Sequence, residues 1–244
     1  MASVSLDLGL WHVLVPEVQS FDLASIGGRK PEPTWLRHLV KANEFGHIWA
    51  ADSGLEALTA ADLWPHYLIG DFDSLTQAQL KDEAIGRGAR VETFLAKKDL
   101  TDFQLLLLSW AKIKPRADRL IVTGFWGGRF DHAWCNLRSC VWALAHHWPA
   151  PIVCDGVELL LVLEGPCEVL VDYDVPPHAV SLLPLTQEVY GVQTDGLYWK
   201  PDETLSANLP YAVSNKTTGR PVKVSLSSGR LGLYFTAQDL LDSI

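Results

Sequence analysis

The feature that most constrains this chain is a change of texture near residue 150. Before it, short apolar runs alternate with stretches of helical apolar spacing. His12-Val13-Leu14-Val15, His47-Ile48-Trp49-Ala50-Ala51, Tyr67-Leu68-Ile69-Gly70 and Arg119-Leu120-Ile121-Val122-Thr123-Gly124 read as strands. Between them, Thr34 to Asn43, Thr76 to Arg87, Thr101 to Ile113 and Phe130 to His147 read as helices, with Thr34, Thr76, Thr101 and Asp131 as their starters. That alternation predicts a mostly parallel sheet flanked by helices. Ligands of such sheets bind beyond the carboxyl ends of the strands. From about Pro151 the pattern is short strands only: Ile152 to Cys154, Val157 to Leu163, Cys167 to Val171, Ala179 to Pro184, Gln187 to Thr194, Leu197 to Trp199, Ala212 to Ser214, Val222 to Ser227 and Gly232 to Phe235. Gly, Pro, Asn and Asp separate them, which predicts an all-β antiparallel sandwich. The expected organisation is an α/β domain over residues 1–150 and a β-sandwich domain over 151–244, with a short terminal helix over Ala237 to Ile244.

Composition narrows the function classes. Hydrophobic residues make up 48% and charged residues 20%, which predicts a packed core rather than disorder. The net charge is −9 and no Lys/Arg cluster stands out, so a footprint for a nucleic-acid backbone is missing. An acidic chain that binds an anionic nucleotide needs a metal, helix N-termini or a few placed cations. Cys135, Cys140, Cys154 and Cys167 form no C-x-x-C pair and read as reduced thiols. No basic segment leads an apolar stretch at the start, and no apolar run approaches the roughly 18 residues of a membrane span. The expected location is cytoplasmic, with no membrane partner. Of the ten tryptophans, most are expected in the core and one or two on a flat ligand ring.

Four polar motifs fall at strand ends. In Gly70-Asp71-Phe72-Asp73-Ser74, an extended segment would put Asp71 and Asp73 on one side and Phe72 on the other. Two hard oxygen donors there suit Mg²⁺, whose other ligands come from water and phosphates; a solvated acidic turn is the plainer reading. In Lys97-Lys98-Asp99-Leu100-Thr101-Asp102, Thr101 or Asp99 can cap the next helix. The sharper reading makes Asp102 a third metal ligand, with phosphate at the helix start beside Lys98. In Gly127-Gly128-Arg129-Phe130-Asp131-His132, glycines allow close approach and Arg129 can fork onto phosphate oxygens. Ala51-Asp52-Ser53-Gly54 offers Asp52 either as a cap or as a partner for a ribose or substrate group. In the β part, Trp199 can serve as a stacking platform and Ser214 and Asn215 can read a heteroaromatic edge, or all three belong to turns and packing. Neither G-x-G-x-x-G, the P-loop pattern nor G-x-S-x-G occurs in these contexts.

As an ordered set, Asp52-Ser53-Gly54, Gly70-Asp71-Phe72-Asp73-Ser74, Lys98-Asp99-Leu100-Thr101-Asp102 and Gly127-Gly128-Arg129-Phe130-Asp131-His132 resemble thiamine pyrophosphokinases. The match continues through Thr194-Asp195-Gly196-Leu197-Tyr198-Trp199 and Val213-Ser214-Asn215. The resemblance implies an N-terminal α/β catalytic domain, a C-terminal β-sandwich, and a homodimer with thiamine near the subunit interface. It implies transfer of diphosphate from ATP to the thiamine hydroxyl, giving thiamine diphosphate and AMP. Carried over by motif, Asp71, Asp73 and Asp102 hold Mg²⁺. Lys98, Asp99, Thr101, Arg129 and His132 lie near the nucleotide, with Asp52. Asp131, Trp199, Ser214 and Asn215 face the alcohol substrate. Two departures stand out: the first strand, read as His12 to Val15, runs into Pro16-Glu17-Val18 where the family has an Asn/Gly turn, and the family's Asp-Gly-Gly-Ala is here Asp52-Ser53-Gly54-Leu55.

The expected mechanism is in-line attack of the alcohol oxygen on the β-phosphorus with AMP leaving. Arg129 neutralises the growing charge, and Asp131 orients the hydroxyl or takes its proton. Two alternatives remain at this level: the same chemistry on another alcohol such as a hydroxymethyl-pterin, and a non-catalytic homologue that binds thiamine or nucleotide.

Overall fold

The computed structural model describes residues 3–16, 18–94 and 99–237. The expected terminal helix falls almost wholly outside them. The chain divides into two compact units, one of residues 19–151 and one of residues 1–18 with 152–244. The first segment was expected in the α/β domain. It forms instead a hairpin of β1 (Ser3–Asp7) and β2 (Trp11–Pro16), and β2 pairs antiparallel with a strand of the β-rich unit, Leu14 opposite Leu170. Its alternation explains this. Trp11, Val13 and Val15 are buried and Leu14 is exposed, the one-sided pattern of an antiparallel sheet with one wet face.

The α/β unit runs β3 (Phe21–Ser25), α1 (Pro33–Ala42), β4 (Phe45–Ala51), α2 (Gly54–Ala60), β5 (Tyr67–Gly70), α3 (Gln79–Gly86), β6 (Arg90–Thr93), α4 (Asp102–Lys112), β7 (Arg119–Thr123) and α5 (Phe130–Ala145). Its strands lie in the order β7-β3-β4-β5-β6, and every adjacent pair is parallel. The apolar runs Ile48–Ala51, Tyr67–Gly70 and Leu120–Thr123 are buried throughout, as strands covered on both faces must be. β3 and β6 were not anticipated. β3 is the first strand of this sheet and takes the place expected of His12 to Val15. Among the expected helix starters only Thr101 caps: its hydroxyl accepts from Gln104 N at 3.2 Å and the Gln104 side chain accepts from Thr101 N at 3.1 Å. Pro33 opens α1, Arg129 stands at the N-cap of α5 without a side-chain capping bond, and Thr76 lies outside α3.

The β-rich unit continues with β8 (Ile152–Cys154), β9 (Glu158–Glu164), β10 (Cys167–Tyr173), β11 (Ala179–Pro184), β12 (Glu188–Tyr190), β13 (Gln193–Asp195), β14 (Thr204–Ser206), β15 (Val222–Leu226) and β16 (Arg230–Thr236). One sheet has the order β1-β2-β10-β15-β13, a second antiparallel run is β8-β9-β16-β11, and β12 pairs with β14. Trp11 of the first layer meets Phe235 of the second with ring centroids 5.7 Å apart. The segments around Leu197 and Ala212 to Ser214, expected as strands, make only isolated bridges, Leu197 to Thr217 and Val180 to Asn215. Among the described residues, no helix is long and apolar enough to cross a membrane.

Candidate active site

The carboxyl ends of β4 and β5 bring three carboxylates together. Asp52 follows β4 in a left-handed conformation, φ 45°, and is buried. Its side chain hydrogen-bonds that of Asp102, in the first turn of α4, and Asp71 stands close enough to act on it through space. Burial first, then the hydrogen bond and charge of Asp102, push the Asp52 carboxyl up to about 7. Phe72 N donates to Asp52 Oδ1 at 3.1 Å and opposes that rise. Gly70 makes the arrangement possible: its φ is +140°, and a Cβ there would lie 1.9 Å from Asp52 Oδ1.

The acidic segment is not extended, as expected, but turned. Phe72 has φ 65°, and Asp73 N donates to Asp71 Oδ1 at 3.3 Å. The side chain of Asp71 therefore closes a local turn, and Asp73 does not simply repeat its direction. Phe72 lies under Lys81 of α3, whose Nζ is 4.2 Å from the ring centroid. The far end of the loop is tied by a residue that the motifs did not include. Glu56, buried in the first turn of α2, accepts from Thr76 N and Thr76 Oγ1, both at 2.7 Å, and from Lys30 Nζ at 2.6 Å. These donors outweigh burial and lower the Glu56 carboxyl to about 2.

Two glycine loops meet at the ends of β3 and β7. Gly28 N donates to Gly124 O at 2.7 Å and Ile26 N to Thr123 O at 2.9 Å. A Cβ on Gly28 would lie 2.2 Å from Gly124 O, so this contact needs bare backbone. Ser25 and Thr123 face one another in register. Both hydroxyls are buried and, among the described residues, without a hydrogen-bond partner, a polar demand at the edge where ligands of such sheets bind. Beyond Gly128, Arg129 forks onto Asp131, with contacts of 3.1 and 2.5 Å. That fork holds the Asp131 carboxyl below the usual carboxylate range. His132 is exposed, and its backbone N donates to Asp131 Oδ1 at 3.0 Å. Asp99 is exposed in the bend before α4. Lys98 lies outside the described residues.

In the β-rich unit, Asn215 is buried and its side chain is spent on the main chain of Trp199. Oδ1 accepts from Trp199 N at 3.1 Å and Nδ2 donates to Trp199 O at 2.6 Å. Asn215 thus positions the turn that displays Trp199, which is 54% exposed and packs its ring edge-on to Tyr198 at 4.9 Å. Ser214 has φ 56°, and its N donates to Ser181 Oγ at 3.1 Å.

Residues 37–151 match the family model described as thiamin pyrophosphokinase, catalytic domain. Over this span, a little under half of its length, the chain is similar to thiamin pyrophosphokinases. A relative from Caenorhabditis elegans, thiamin pyrophosphokinase 1, is 27% identical, over 68% of this chain and 68% of its own. The fold is that of the thiamine pyrophosphokinase of Bacillus subtilis, at TM-score 0.73 and 20% identity, covering 91% of this chain and all of that one. The yeast enzyme gives TM-score 0.66 at 16% identity, covering 93% and 90%.

The span matched to the thiamin pyrophosphokinase catalytic domain includes Asp52, Glu56, the acidic loop, Asp102 and the Gly-Gly-Arg loop. The donor set there suits a divalent cation: hard carboxylate oxygens, crowded until one carries a proton. Among the described residues, no three acidic, His or Cys side chains stand in a metal-holding arrangement. Glu56 and the Gly27-Gly28 loop escaped the motif reading. A Gly-Gly pair after a strand was the available signal for the loop, hidden because β3 itself was not recognised.

Proposed function

We propose that this chain transfers the diphosphate group of ATP to the hydroxyl of thiamine, giving thiamine diphosphate and AMP. The observation that carries the reading is the meeting of Asp52, Asp71 and Asp102 at strand ends within the span matched to a thiamin pyrophosphokinase catalytic domain. Asp71, Asp73 and Asp102 are the residues to hold Mg²⁺, which supplies neutralisation of phosphate charge when bound. Asp52, with its raised affinity for a proton, acts on Asp102 as a hydrogen-bonded partner rather than on the nucleotide directly.

The nucleotide lies along the Gly27-Gly28 loop and the start of α4, near Asp99 and Thr101, with Lys98 and His132 as further contacts. Thr101 contributes its place at the helix start, since its hydroxyl already caps. Arg129 leaves Asp131 for a phosphate oxygen, and Asp131, so freed, orients the attacking hydroxyl. Trp199 stacks on the thiamine ring, Asn215 holds it, and Ser214 lines the same turn. The protein works as a homodimer; the stacked pair Phe130 and Trp134, centroids 6.5 Å apart, supports this, since Phe130 is 81% exposed.

The test is AMP release from ATP and Mg²⁺ with thiamine and with a hydroxymethyl-pterin, for the natural chain and for Asp71→Asn and Asp102→Asn. Thiamine-dependent release that falls by about 100-fold or more in both variants is expected. Release with the pterin alone, or near-normal release by either variant, overturns the reading.

A further inference from the structure

The acidic loop is gripped at both ends by carboxylates on either side of the start of α2. Asp52 takes Phe72 N at 3.1 Å, and Glu56 takes Thr76 N and Thr76 Oγ1 at 2.7 Å each. The stretch Phe72–Thr76 carries Asp73, and Asp71 directly precedes it. Phe72 is left-handed at φ 65°, a conformation unfavourable for a residue with a side chain, which persists only where its surroundings hold it. Asp52 is shared with Asp102, so the loop's start moves with the carboxylate cluster. Glu56 holds the other end from outside that cluster, and Lys30 balances its charge from the loop after β3.

We infer that Glu56 is a positioning residue: with Lys30 and Thr76 it forms a clasp that sets the acidic loop for a divalent cation. This rests on the proposed role of Asp71 and Asp73. The clasp is built for strength. The Glu56 side chain is 5% exposed, both its oxygens are used, and its ionised state is held far below neutral pH. Hydrogen bonds to a charged, buried acceptor are the strong kind. Releasing Thr76 frees a loop whose bent shape is costly on its own, so the carboxylates lose their register and the cation pays to restore it.

The experiment uses the full chain and reads Mn²⁺ binding by calorimetry, amide hydrogen exchange over residues 70–80, and AMP release. Glu56→Ala is expected to speed exchange at Thr76 and to weaken Mn²⁺ binding, each by roughly 10- to 100-fold, since both bonds to Thr76 are lost together. Glu56→Gln keeps an acceptor for Thr76 and is expected to restore most of the exchange protection. Thr76→Val, at an exposed position, removes only the hydroxyl bond and is expected to weaken Mn²⁺ binding by about 3- to 10-fold. A residue of merely structural importance would lower the unfolding temperature of the folded variants and leave Mn²⁺ affinity unchanged; that result overturns the inference, as does a natural chain that binds no Mn²⁺. A natural chain that binds Mn²⁺ and shows these shifts, yet releases no AMP with thiamine, overturns the proposed function and leaves the clasp standing.

Discussion

Asp52 and Asp102 share a side-chain hydrogen bond at the carboxyl edge of the parallel sheet, one ending β4 and the other opening α4. Two carboxylates so placed bond only if one keeps a proton, and burial selects Asp52 to keep it up to about pH 7. Above that, a buried negative charge on Asp52 beside that of Asp102 destabilises the cation-free protein. Asp52→Asn supplies the neutral form permanently and keeps an acceptor for Phe72 N. Calorimetry without divalent cations at pH 8 should show an unfolding temperature equal to or a few degrees above that of the natural chain. A clear fall would show that Asp52 is stabilising as the anion.

Glu56 predicts the opposite pH sense. Its folded pKa, about 2, lies below the unfolded value of 4.5. The unfolded chain therefore takes up the proton first on acidification. The stabilisation is fully present above about pH 4.5 and is lost as pH falls toward 2. Lys30 is half exposed, so screening leaves a contribution on the order of 2 kcal/mol. The stability gap between the natural chain and Glu56→Gln, from urea unfolding, should be constant from pH 7 to 5 and narrow below pH 4. A gap that does not narrow would separate Glu56 from its ion pair.

What could be read from sequence divides along local and long-range lines. Ile48–Ala51, Tyr67–Gly70 and Leu120–Thr123 announce themselves as buried strands because their own residues are apolar. The box between Thr101 and Gln104 lies within four residues and is equally legible. β2 was legible as a strand but not its sheet, since Leu14 finds Leu170 across most of the chain. β3 was hidden by Asp22, whose charge looks impossible in a central strand until Trp49 Nε1, Trp110 Nε1 and His47 N come to it from two other elements. Glu56 was hidden in the same way, because Lys30 and Thr76 flank it from separate loops. The acidic motifs could be placed at strand ends from pattern alone, yet the turn at Phe72 and the Asp52–Asp102 bond depend on packing that no spacing encodes.

Asp22 gives the third prediction. Its carboxylate is buried in β3 and accepts from Trp110 Nε1 at 2.9 Å, Trp49 Nε1 at 3.3 Å and His47 N at 2.8 Å. Asp22→Ala leaves two buried indole donors and a half-buried backbone donor unpaired at the amino-terminal half of the strand, away from the candidate site. The expected loss is about 3–5 kcal/mol, seen as a fall of roughly 10 °C in unfolding temperature with a red shift of tryptophan emission. Below the transition, turnover per folded molecule should hold. A variant as stable as the natural chain would mean that the indoles find other acceptors.

The last prediction separates holding from stacking in the β-rich unit. Among the described residues, the two amide atoms of Asn215 hydrogen-bond only the main chain of Trp199, apart from its own neighbour Lys216 N at 2.9 Å. If Trp199 is the platform for thiamine, Asn215→Ala loosens the platform without removing its surface. The thiamine KM should rise by about 10-fold while kcat stays within about 3-fold, because the interaction holds substrate and transition state alike. Trp199→Ala should raise KM more, and Trp199→Phe less than either, since a smaller ring still stacks. The β-rich core is untouched: Val180 and Asn215 remain joined through their main chains at 2.8 and 2.7 Å, so unfolding temperature should move little. A KM unchanged in Asn215→Ala and Trp199→Ala alike would remove this turn from the substrate site.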